Sequence, residues 1–241
     1  MQGKDSKLKI PDTVADILKA AGAIGDKYGF KVFAVGGFVR DLLLGADNLD
    51  IDIAVEGDGL RFAKELANKL NGSLITHKQF GTATIASIAR VDIATARSES
   101  YKVPAAYPNV KFGTIKDDLK RRDFTINAIA LSLNKKSFKK IVDFFNGRKD
   151  LKRGIIRVLH DQSFIDDPTR IFRAVRFEQR YGFRIEAHTE QLLRHAVNSG
   201  VLHKLKKQRI EREQAIISKE KKASRMLARL EGFSGEKECR A

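Results

Sequence analysis

Two aspartates separated by a single residue, Asp50 and Asp52, open the apolar stretch LDIDIAVEG. In a β-strand, residues two positions apart project from the same face, so these carboxylates would converge while Ile51 and Ile53 enter the core. Close negative charges repel unless a cation lies between them, and carboxylate oxygens together with substrate phosphates are the ligands that Mg²⁺ prefers. The pattern is short, and it also fits an exposed edge strand with solvated aspartates.

Gly36 and Gly37 follow the preceding apolar strand and open a helix. Backbone N–H groups at such a turn, together with the helix N-terminus, form an anion-binding site. Arg40, one helical turn later, is predicted to add a positive charge. A triphosphate held at this turn would lie close to the strand that carries the two aspartates. The order of strand, Gly-Gly, Arg-Asp and Asp-x-Asp therefore predicts phosphoryl transfer, whereas the glycines alone also fit a simple tight turn.

A third carboxylate, Asp92, lies in another apolar strand, VDIATAR. Two-metal phosphoryl transfer uses a carboxylate cluster around ions that are about 3.5–4 Å apart. We therefore predict that Asp92 is a metal ligand or a general base. The alternative is a lone aspartate on the solvated face of its strand.

The segment RRDFTINA places arginines, an aspartate and an asparagine before an apolar run. Guanidinium groups match phosphate geometry, so Arg122 is predicted to contact a nucleotide, with Asn127 nearby. Asp123 could accept hydrogen bonds from ribose hydroxyls, which would favour ribonucleotides. A charged helix start, with Asp123 or Thr125 as the cap, is the alternative.

An arginine-rich helix is predicted in DDPTRIFRAVRFEQR, with Asp167 as N-cap and Pro168 as the first helical residue. At about 100° per residue, its arginines fall within an arc of roughly 120°, and apolar residues occupy the other side. No acidic residue shares this arc, which favours a bound polyanion. The four arginines are Arg170, Arg173, Arg176 and Arg180.

Composition narrows the class of protein. The chain has 241 residues and a formal net charge of +16, which favours a polyanionic partner such as nucleic acid. A single cysteine, Cys239, excludes an internal disulfide framework and a cysteine-rich zinc site. No apolar run is long enough to span a bilayer, and the first 14 residues do not resemble a signal peptide, so we expect a cytoplasmic protein without a membrane partner.

The coarse pattern predicts an α+β protein with a boundary near residue 150. The pattern begins with a helix over 12–29, with Asp12 as N-cap, and a strand. It continues with a short helix ending at Gly45, a second strand and another helix. Two or three strands follow. Residues 97–116 are expected to form a long loop of unassigned role. Helical periods dominate after residue 150, and residues 234–241 are expected to be disordered.

The motifs GGFVRD, DID, RRDFTINA and DDPTRIFRAVRF, in this order, resemble those of the class II tRNA nucleotidyltransferases and of the bacterial poly(A) polymerases that share their head domain. The resemblance covers Lys31 to Val197. It implies a DNA polymerase β-like head over 1–150, with a mixed sheet and flanking helices, and an all-α neck over 151–241. Members usually continue into body and tail domains, which this sequence is expected to lack. A fragment, a short enzyme and dependence on a partner chain are the alternatives.

The resemblance also implies roles for the residues singled out above. Asp50 and Asp52 would hold the catalytic metals, expected to be two Mg²⁺ ions, and Asp92, predicted above from its own strand, completes the catalytic prediction. Asp167 and Arg170 would act as an amino-acid template that hydrogen-bonds the base, Asp123 would meet the ribose, and Arg173 and Arg176 would lie near the triphosphate. The full nucleotide-binding prediction comprises Gly36, Gly37, Arg40, Arg122, Asp123, Asn127, Asp167, Arg170, Arg173 and Arg176.

The expected activity is Mg²⁺-dependent, template-independent transfer of AMP, CMP or both from ATP and CTP to the 3′ end of tRNA. It could comprise the whole CCA end, the CC part or the terminal A. A poly(A) polymerase is the close alternative. Two further alternatives are an RNA-binding protein that has lost catalysis and a nucleotidyltransferase that acts on a protein.

Overall fold

The computed structural model describes residues 10–46 and 49–233. Contacts divide them into two compact units. The first comprises the residues up to Ser98 together with Lys111–Arg122 and Asn127–Gly147, and the second comprises Glu99–Val110, Asp123–Ile126 and the residues from Arg148 onward. The domain boundary near residue 150 stays a prediction, because two short earlier segments belong to the second unit.

The first unit is built on a seven-stranded mixed sheet with the strand order β3-β4-β5-β2-β1-β8-β9. The central strand β2 runs antiparallel to β1 and parallel to β5. The elements of this part of the chain are α1 (Asp12–Tyr28), β1 (Lys31–Val35), α2 (Gly36–Leu44), β2 (Asp50–Glu56), α3 (Gly59–Leu70), β3 (Ser73–His77), β4 (Thr82–Ala86), β5 (Arg90–Thr95), β6 (Arg97–Ser100), β7 (Asn109–Phe112), α4 (Ile115–Lys120), β8 (Ala130–Ser132) and β9 (Ile141–Val142).

The predicted order of the first helices and strands is confirmed, with one difference at a helix start. Pro11 occupies the N-cap of α1, so the prediction of Asp12 as cap is wrong, although its charge in the first turn suits the helix dipole. Helix α2 begins directly at Gly36, and it ends as predicted at Gly45, which has a φ of +70°. The prediction of an α+β fold with a mixed sheet and flanking helices is also confirmed.

Residues 97–116 are not one loop. Strands β6 and β7 pair with each other as a separate two-stranded sheet, and helix α4 begins at Ile115. The prediction failed because each strand is only four residues long: β6 contains no apolar residue, and all four residues of β7 are exposed, including Val110 and Phe112. Residues 101–108 between the strands contain no regular element.

The second unit is mainly helical and contains one short parallel strand pair that the all-helical prediction missed. Each strand of this pair is only two residues long, too short for a sequence pattern to reveal. Its elements, from α5 onward, are α5 (Gly147–Arg153), β10 (Ile155–Ile156), α6 (Ser163–Asp166), α7 (Thr169–Tyr181), β11 (Arg184–Ile185), α8 (Ala187–Asn198), α9 (Lys207–Ile217) and α10 (Ala223–Glu231).

Helix α7 is the predicted arginine-rich helix, but it begins at Thr169, with Pro168 in the N-cap position. Asp167 still serves the helix start, because its carboxylate accepts a hydrogen bond from the Thr169 N–H at 3.1 Å. Its own backbone is extended.

No helix among the described residues is both long enough and apolar enough to cross a membrane. Cys239 and the predicted disordered segment 234–241 lie outside the described residues, as does most of the N-terminal stretch inspected for a leader.

Candidate active site

The two aspartates of β2 lie on one face of the strand, beside a third on β5. Asp50 is exposed and Asp52 half-buried, whereas Ile51 and Ile53 between and after them are each 1% exposed. Strands β2 and β5 are parallel, and their register places Asp52 directly opposite Asp92. The sheet therefore brings the three predicted catalytic carboxylates to one region of its surface.

Asp92 is already engaged by neighbouring side chains. Its Oδ1 accepts a hydrogen bond from the Thr84 hydroxyl at 2.6 Å, and its Oδ2 accepts one from Nε of Arg90 at 3.0 Å. Within residues 10–46 and 49–233, no group of three or more His, Cys, Asp or Glu side chains is arranged to hold a metal ion. The role of Asp92 as a third ligand or base stays a prediction.

The donor set of Asp50 and Asp52 fits Mg²⁺, which takes a few carboxylates and completes its octahedron with water and substrate phosphates. The electrostatics of Asp52 point the same way. Burial raises its pKa to about 6; Asp92 and Asp50 also raise it, while Arg122 and Arg40 act in the opposite sense. A carboxylate that is costly to ionise beside two others gains from a bound cation.

The turn at Gly36 and Gly37 lies close to the carboxylate of Asp52. Gly36 has a φ of +69°, and a Cβ atom on it would lie 2.6 Å from Nη1 of Arg122 and 3.2 Å from Oδ2 of Asp52. No side chain fits there without displacing one of these groups. Gly37 is less crowded, since its Cβ would lie 3.4 Å from Nη2 of Arg40. The backbone of the turn, a carboxylate and a guanidinium thus converge at the start of α2.

We expect Gly36→Ala to lower nucleotide transfer by at least about tenfold, because the new methyl group displaces Arg122 or Asp52, a misplacement of about 1 Å being enough for such losses. The positive φ should also cost about 1–2 kcal/mol of unfolding free energy. Gly45→Ala is the matched control, since Gly45 has a φ of +70° with nothing within 4 Å of its Cβ position. Equal transfer rates in the two variants, measured alongside urea unfolding, would refute the assigned crowding.

Arg122 is held in place by a buried carboxylate that sequence reasoning missed. Asp118 is 0% exposed and accepts hydrogen bonds from Nη2 of Arg122 at 2.9 Å and from Nη2 of Arg121 at 2.7 Å. Burial opposes its ionisation, but Arg122 and Arg121 outweigh it, so the pKa of Asp118 is lowered. The signal was present in the sequence: arginines three and four residues after an aspartate on a helix can pair with it.

Arg40, which is predicted to add a positive charge at the glycine turn, is buried and hydrogen-bonded to neighbouring side chains. It is 5% exposed, and its guanidinium donates to Oδ1 of Asn127 at 2.6 Å and to both carboxylate oxygens of Asp41 at 2.9 and 3.0 Å. Asn127 is itself buried. These contacts give Arg40 and Asn127 a structural part in tying α2 to the segment after α4, and their nucleotide contacts stay predictions.

In the second unit, Asp123 pairs with Arg173, a half-buried arginine of α7. Its Oδ2 accepts from Nε and Nη2 of Arg173 at 2.8 and 2.6 Å, and its Oδ1 accepts from the Phe124 N–H at 2.8 Å. The Asp123 charge raises the pKa of Arg173. Both residues lie in the predicted nucleotide-binding set, and the pair is formed within one unit.

The prediction that the arginine arc of α7 lacks neutralising acids is wrong. Glu213 lies 3.6 Å from Nη1 of Arg176, and Glu220 pairs with Arg180. Arg176 is 6% exposed and its pKa is lowered by burial and by Arg173. The partner acids come from residues far away in sequence, so helical periodicity could not reveal them. Arg176 is therefore packed inside the second unit, and its predicted contact with a triphosphate is left without support from its position.

Asp167 and Arg170 both lie at the start of α7. Arg170 is 4% exposed, and its Nη1 donates to the Ser163 hydroxyl at 2.6 Å. Asp167 is paired with Arg209 of α9, 2.8 Å away. Sequence reasoning did not find Arg209, because nothing local in KQRIEREQ connects it with a residue 42 positions earlier (209 − 167).

A mixed sheet with an aspartate pair on its central strand, next to a glycine turn that opens a helix, is the head-domain fold of a nucleotidyltransferase. The chain belongs to the family described as Poly A polymerase head domain, whose profile matches residues 32–157. The resemblance inferred from the motifs is thereby confirmed. Nucleotidyltransferases of this family generally use divalent metal ions.

Relatives and solved structures extend the match beyond the head. The chain is 46% identical over 226 residues to an A-adding tRNA nucleotidyltransferase from Geobacter sulfurreducens, covering 93% of this chain and 26% of that protein. A Thermotoga maritima CCA-adding enzyme complexed with tRNA is 47% identical with a TM-score of 0.82, and a CCA-adding enzyme complexed with ATP is 46% identical with a TM-score of 0.85. Each covers 93% of this chain, which spans 52% of either solved chain.

Proposed function

We propose that this chain transfers AMP, CMP or both from ATP and CTP to the 3′ end of tRNA. The observation that carries the proposal is the convergence of Asp52, Gly36 and Arg122, with Asp50 and Asp92 on the same sheet face. The similarity to A-adding and CCA-adding enzymes supports tRNA as the acceptor. The formal net charge of +16 is consistent with an RNA partner.

Asp50 and Asp52 would hold the divalent metal, two Mg²⁺ ions in our proposal, with Asp92 beside them. Bound there, the metal would lower the pKa of the attacking 3′-hydroxyl and neutralise charge on the transferring phosphorus. The chain's own contribution is positional. The backbone of the Gly36 turn and the guanidinium of Arg122 would bind phosphate oxygens, since both lie within reach of Asp52. Fixed charges of this kind supply most of the rate enhancement in phosphoryl transfer.

Base selection would depend on Asp167 and Arg170. A carboxylate accepts hydrogen bonds and a guanidinium donates them, which is the complement of the amino and ring-nitrogen groups that cytosine and adenine share. Selection by side chains would explain how nucleotides are added without a nucleic-acid template. Asp123 and Arg173 would support the sugar and phosphates as a pair.

The test is incorporation of labelled CTP and ATP, separately and together, into tRNA transcripts that end before CCA, after C and after CC. AMP addition to the CC-ended transcript alone would identify an A-adding enzyme, and growth of all three that stops at CCA would identify a CCA-adding enzyme. Long AMP tracts on an unrelated RNA would favour the poly(A) polymerase alternative. Absence of transfer to every acceptor, with tRNA binding retained, would favour a non-catalytic RNA-binding protein and refute the proposal.

A further inference from the structure

The carboxylate of Asp167 is bonded asymmetrically. Three hydrogen bonds converge on Oδ1: from the Thr169 N–H at 3.1 Å, from the Thr169 hydroxyl at 2.6 Å and from Nη2 of Arg209 at 2.8 Å. In the part of the chain that the structure describes, no hydrogen bond reaches Oδ2. The side chain keeps 23% of its surface exposed. One oxygen therefore fixes the carboxylate, and the other remains available as an acceptor.

An oriented acceptor can discriminate between bases. The exocyclic amino groups of adenine and cytosine are donors, whereas guanine and uracil carry a carbonyl oxygen at the corresponding position. A carboxylate oxygen held toward that position accepts from the first pair and repels the second. Discrimination of this kind depends on a fixed orientation of the carboxylate. A carboxylate that can rotate could contact an amino group or a carbonyl group equally well through a bridging water molecule.

Arg209 supplies the charged part of that fixation and connects it to a second segment of the same unit. Its Nη1 donates to the backbone oxygen of Ala105 at 3.1 Å, while its Nη2 bonds Asp167. Ala105 has a φ of +61° and its own N–H bonds the carbonyl of Ile165 at 3.2 Å, so the chain is pinned at this point. The planar guanidinium thus joins Asp167 to a constrained position of the 101–108 segment.

We propose that Arg209 is a positioning residue for nucleotide selection: it holds Asp167 by Oδ1 so that Oδ2 faces the amino group of the incoming base. This inference rests on the proposed function. Thr169 acts with Arg209 on the same oxygen, but its two bonds are local to the helix start. Arg209 adds a charge-assisted bond from a different helix, α9, and so restrains the side chain from a second element of the fold.

The experiment compares Arg209→Met with Arg209→Lys and with Arg212→Met, an exposed arginine of the same helix that serves as control. The readouts are kcat/KM for ATP against GTP and for CTP against UTP, together with equilibrium binding of the four nucleotides to the full chain. We expect Arg209→Met to reduce discrimination at least tenfold, Arg209→Lys to restore part of it, and Arg212→Met to match the wild type. Unchanged discrimination in Arg209→Met would overturn the proposal.

Two features keep the test decisive. If Arg209→Met fails to fold, Thr169→Val removes the hydroxyl donor to the same oxygen and should reduce discrimination by a smaller factor; no reduction would count against the inference. The nucleotide-binding measurement distinguishes failure of the proposed function from failure of the role assigned to Arg209. A wild type that prefers ATP to GTP in binding but transfers neither would contradict the proposed function, and loss of that preference in Arg209→Met would still support the role of Arg209.

Discussion

Asp52→Asn is expected to lower nucleotide transfer by about 10³-fold or more and, at the same time, to stabilise the metal-free protein at neutral pH. The first effect follows from loss of a charged metal ligand at the reacting phosphate. The second follows from the cost of ionising Asp52 next to Asp50 and Asp92, because burial raises its pKa to about 6. An ionised Asp52 therefore lowers the stability of the metal-free fold. This is expected of a residue that binds a cation, because the cation would offset the cost of its charge.

The sign of the pH dependence is fixed by the direction of this shift. Asp52 has a pKa of about 6 in the folded chain against an ordinary value of 3.8, so the folded state binds its proton more tightly than the unfolded state does. The destabilisation is therefore fully present above pH 6 and disappears as the pH falls through 6 toward 4. This rise in pKa corresponds to at most about 3 kcal/mol of unfolding free energy, and we expect Asp52→Asn to increase the unfolding free energy by about 1–3 kcal/mol at pH 7.5.

The measurement is thermal unfolding in EDTA at pH 7.5 and pH 4.5, with the transfer assay run in Mg²⁺. Asp16→Asn is the control, since Asp16 is exposed and pairs with Lys19 on the surface. Asp52→Asn should raise the midpoint at pH 7.5 and change it little at pH 4.5, whereas Asp16→Asn should change neither value appreciably. A lower midpoint for Asp52→Asn at pH 7.5, or retained transfer, would contradict the assignment.

The second large effect is expected at Asp118. Asp118→Asn should destabilise the protein by about 3–5 kcal/mol, because it leaves Arg121 and Arg122 without their shared buried carboxylate. Transfer should fall as well, since Arg122 would no longer be held beside Gly36. The pKa of Asp118 is lowered in the folded state, so its contribution to stability is present above the unfolded pKa and is lost as the pH falls through the folded value.

Urea unfolding at pH 7 tests this prediction, and the neighbouring residue provides the control. Asp117 is half-buried and completes the capping box at the start of α4, where it accepts a hydrogen bond from the Thr114 N–H at 2.9 Å. Asp117→Asn should therefore cost only about 1 kcal/mol and leave transfer unchanged. If the two variants were equally stable, or if Asp118→Asn kept full transfer at temperatures where it is folded, Asp118 would not be the support of Arg122.

The features that sequence reasoning predicted are those set by short-range periodicity. Alternation in DIDIAVE places Asp50 and Asp52 on one face, and a glycine pair after a strand opens α2; the structure contains both. Asp92 was singled out from its own strand pattern, and the parallel register then placed it opposite Asp52. The assigned chemical roles of these residues remain predictions.

The features that sequence reasoning missed depend on contacts between distant segments. The arginine arc of α7 looked unneutralised because Glu213 and Glu220 arrive from later in the chain. Arg40 was predicted only to add a positive charge, and its contact with the buried Asn127, 87 residues away, could not be read from the local sequence. The residues on one face of a helix can be predicted from the helix sequence alone. The charged residues that pack against that face are determined by the tertiary fold.

The most direct test of the account is single-turnover transfer of labelled AMP and CMP from ATP and CTP to tRNA transcripts ending before CCA, after C and after CC, with the wild type and the Asp50→Ala, Asp52→Ala variant compared in Mg²⁺ and in EDTA. Our account predicts addition of AMP, CMP or both to at least one of these transcripts by the wild type in Mg²⁺ and none in the other three conditions. Equal transfer by the variant would contradict the assignment of these aspartates as metal ligands. Failure of the folded, tRNA-binding wild type to add AMP or CMP to any tested tRNA end would contradict the proposed function.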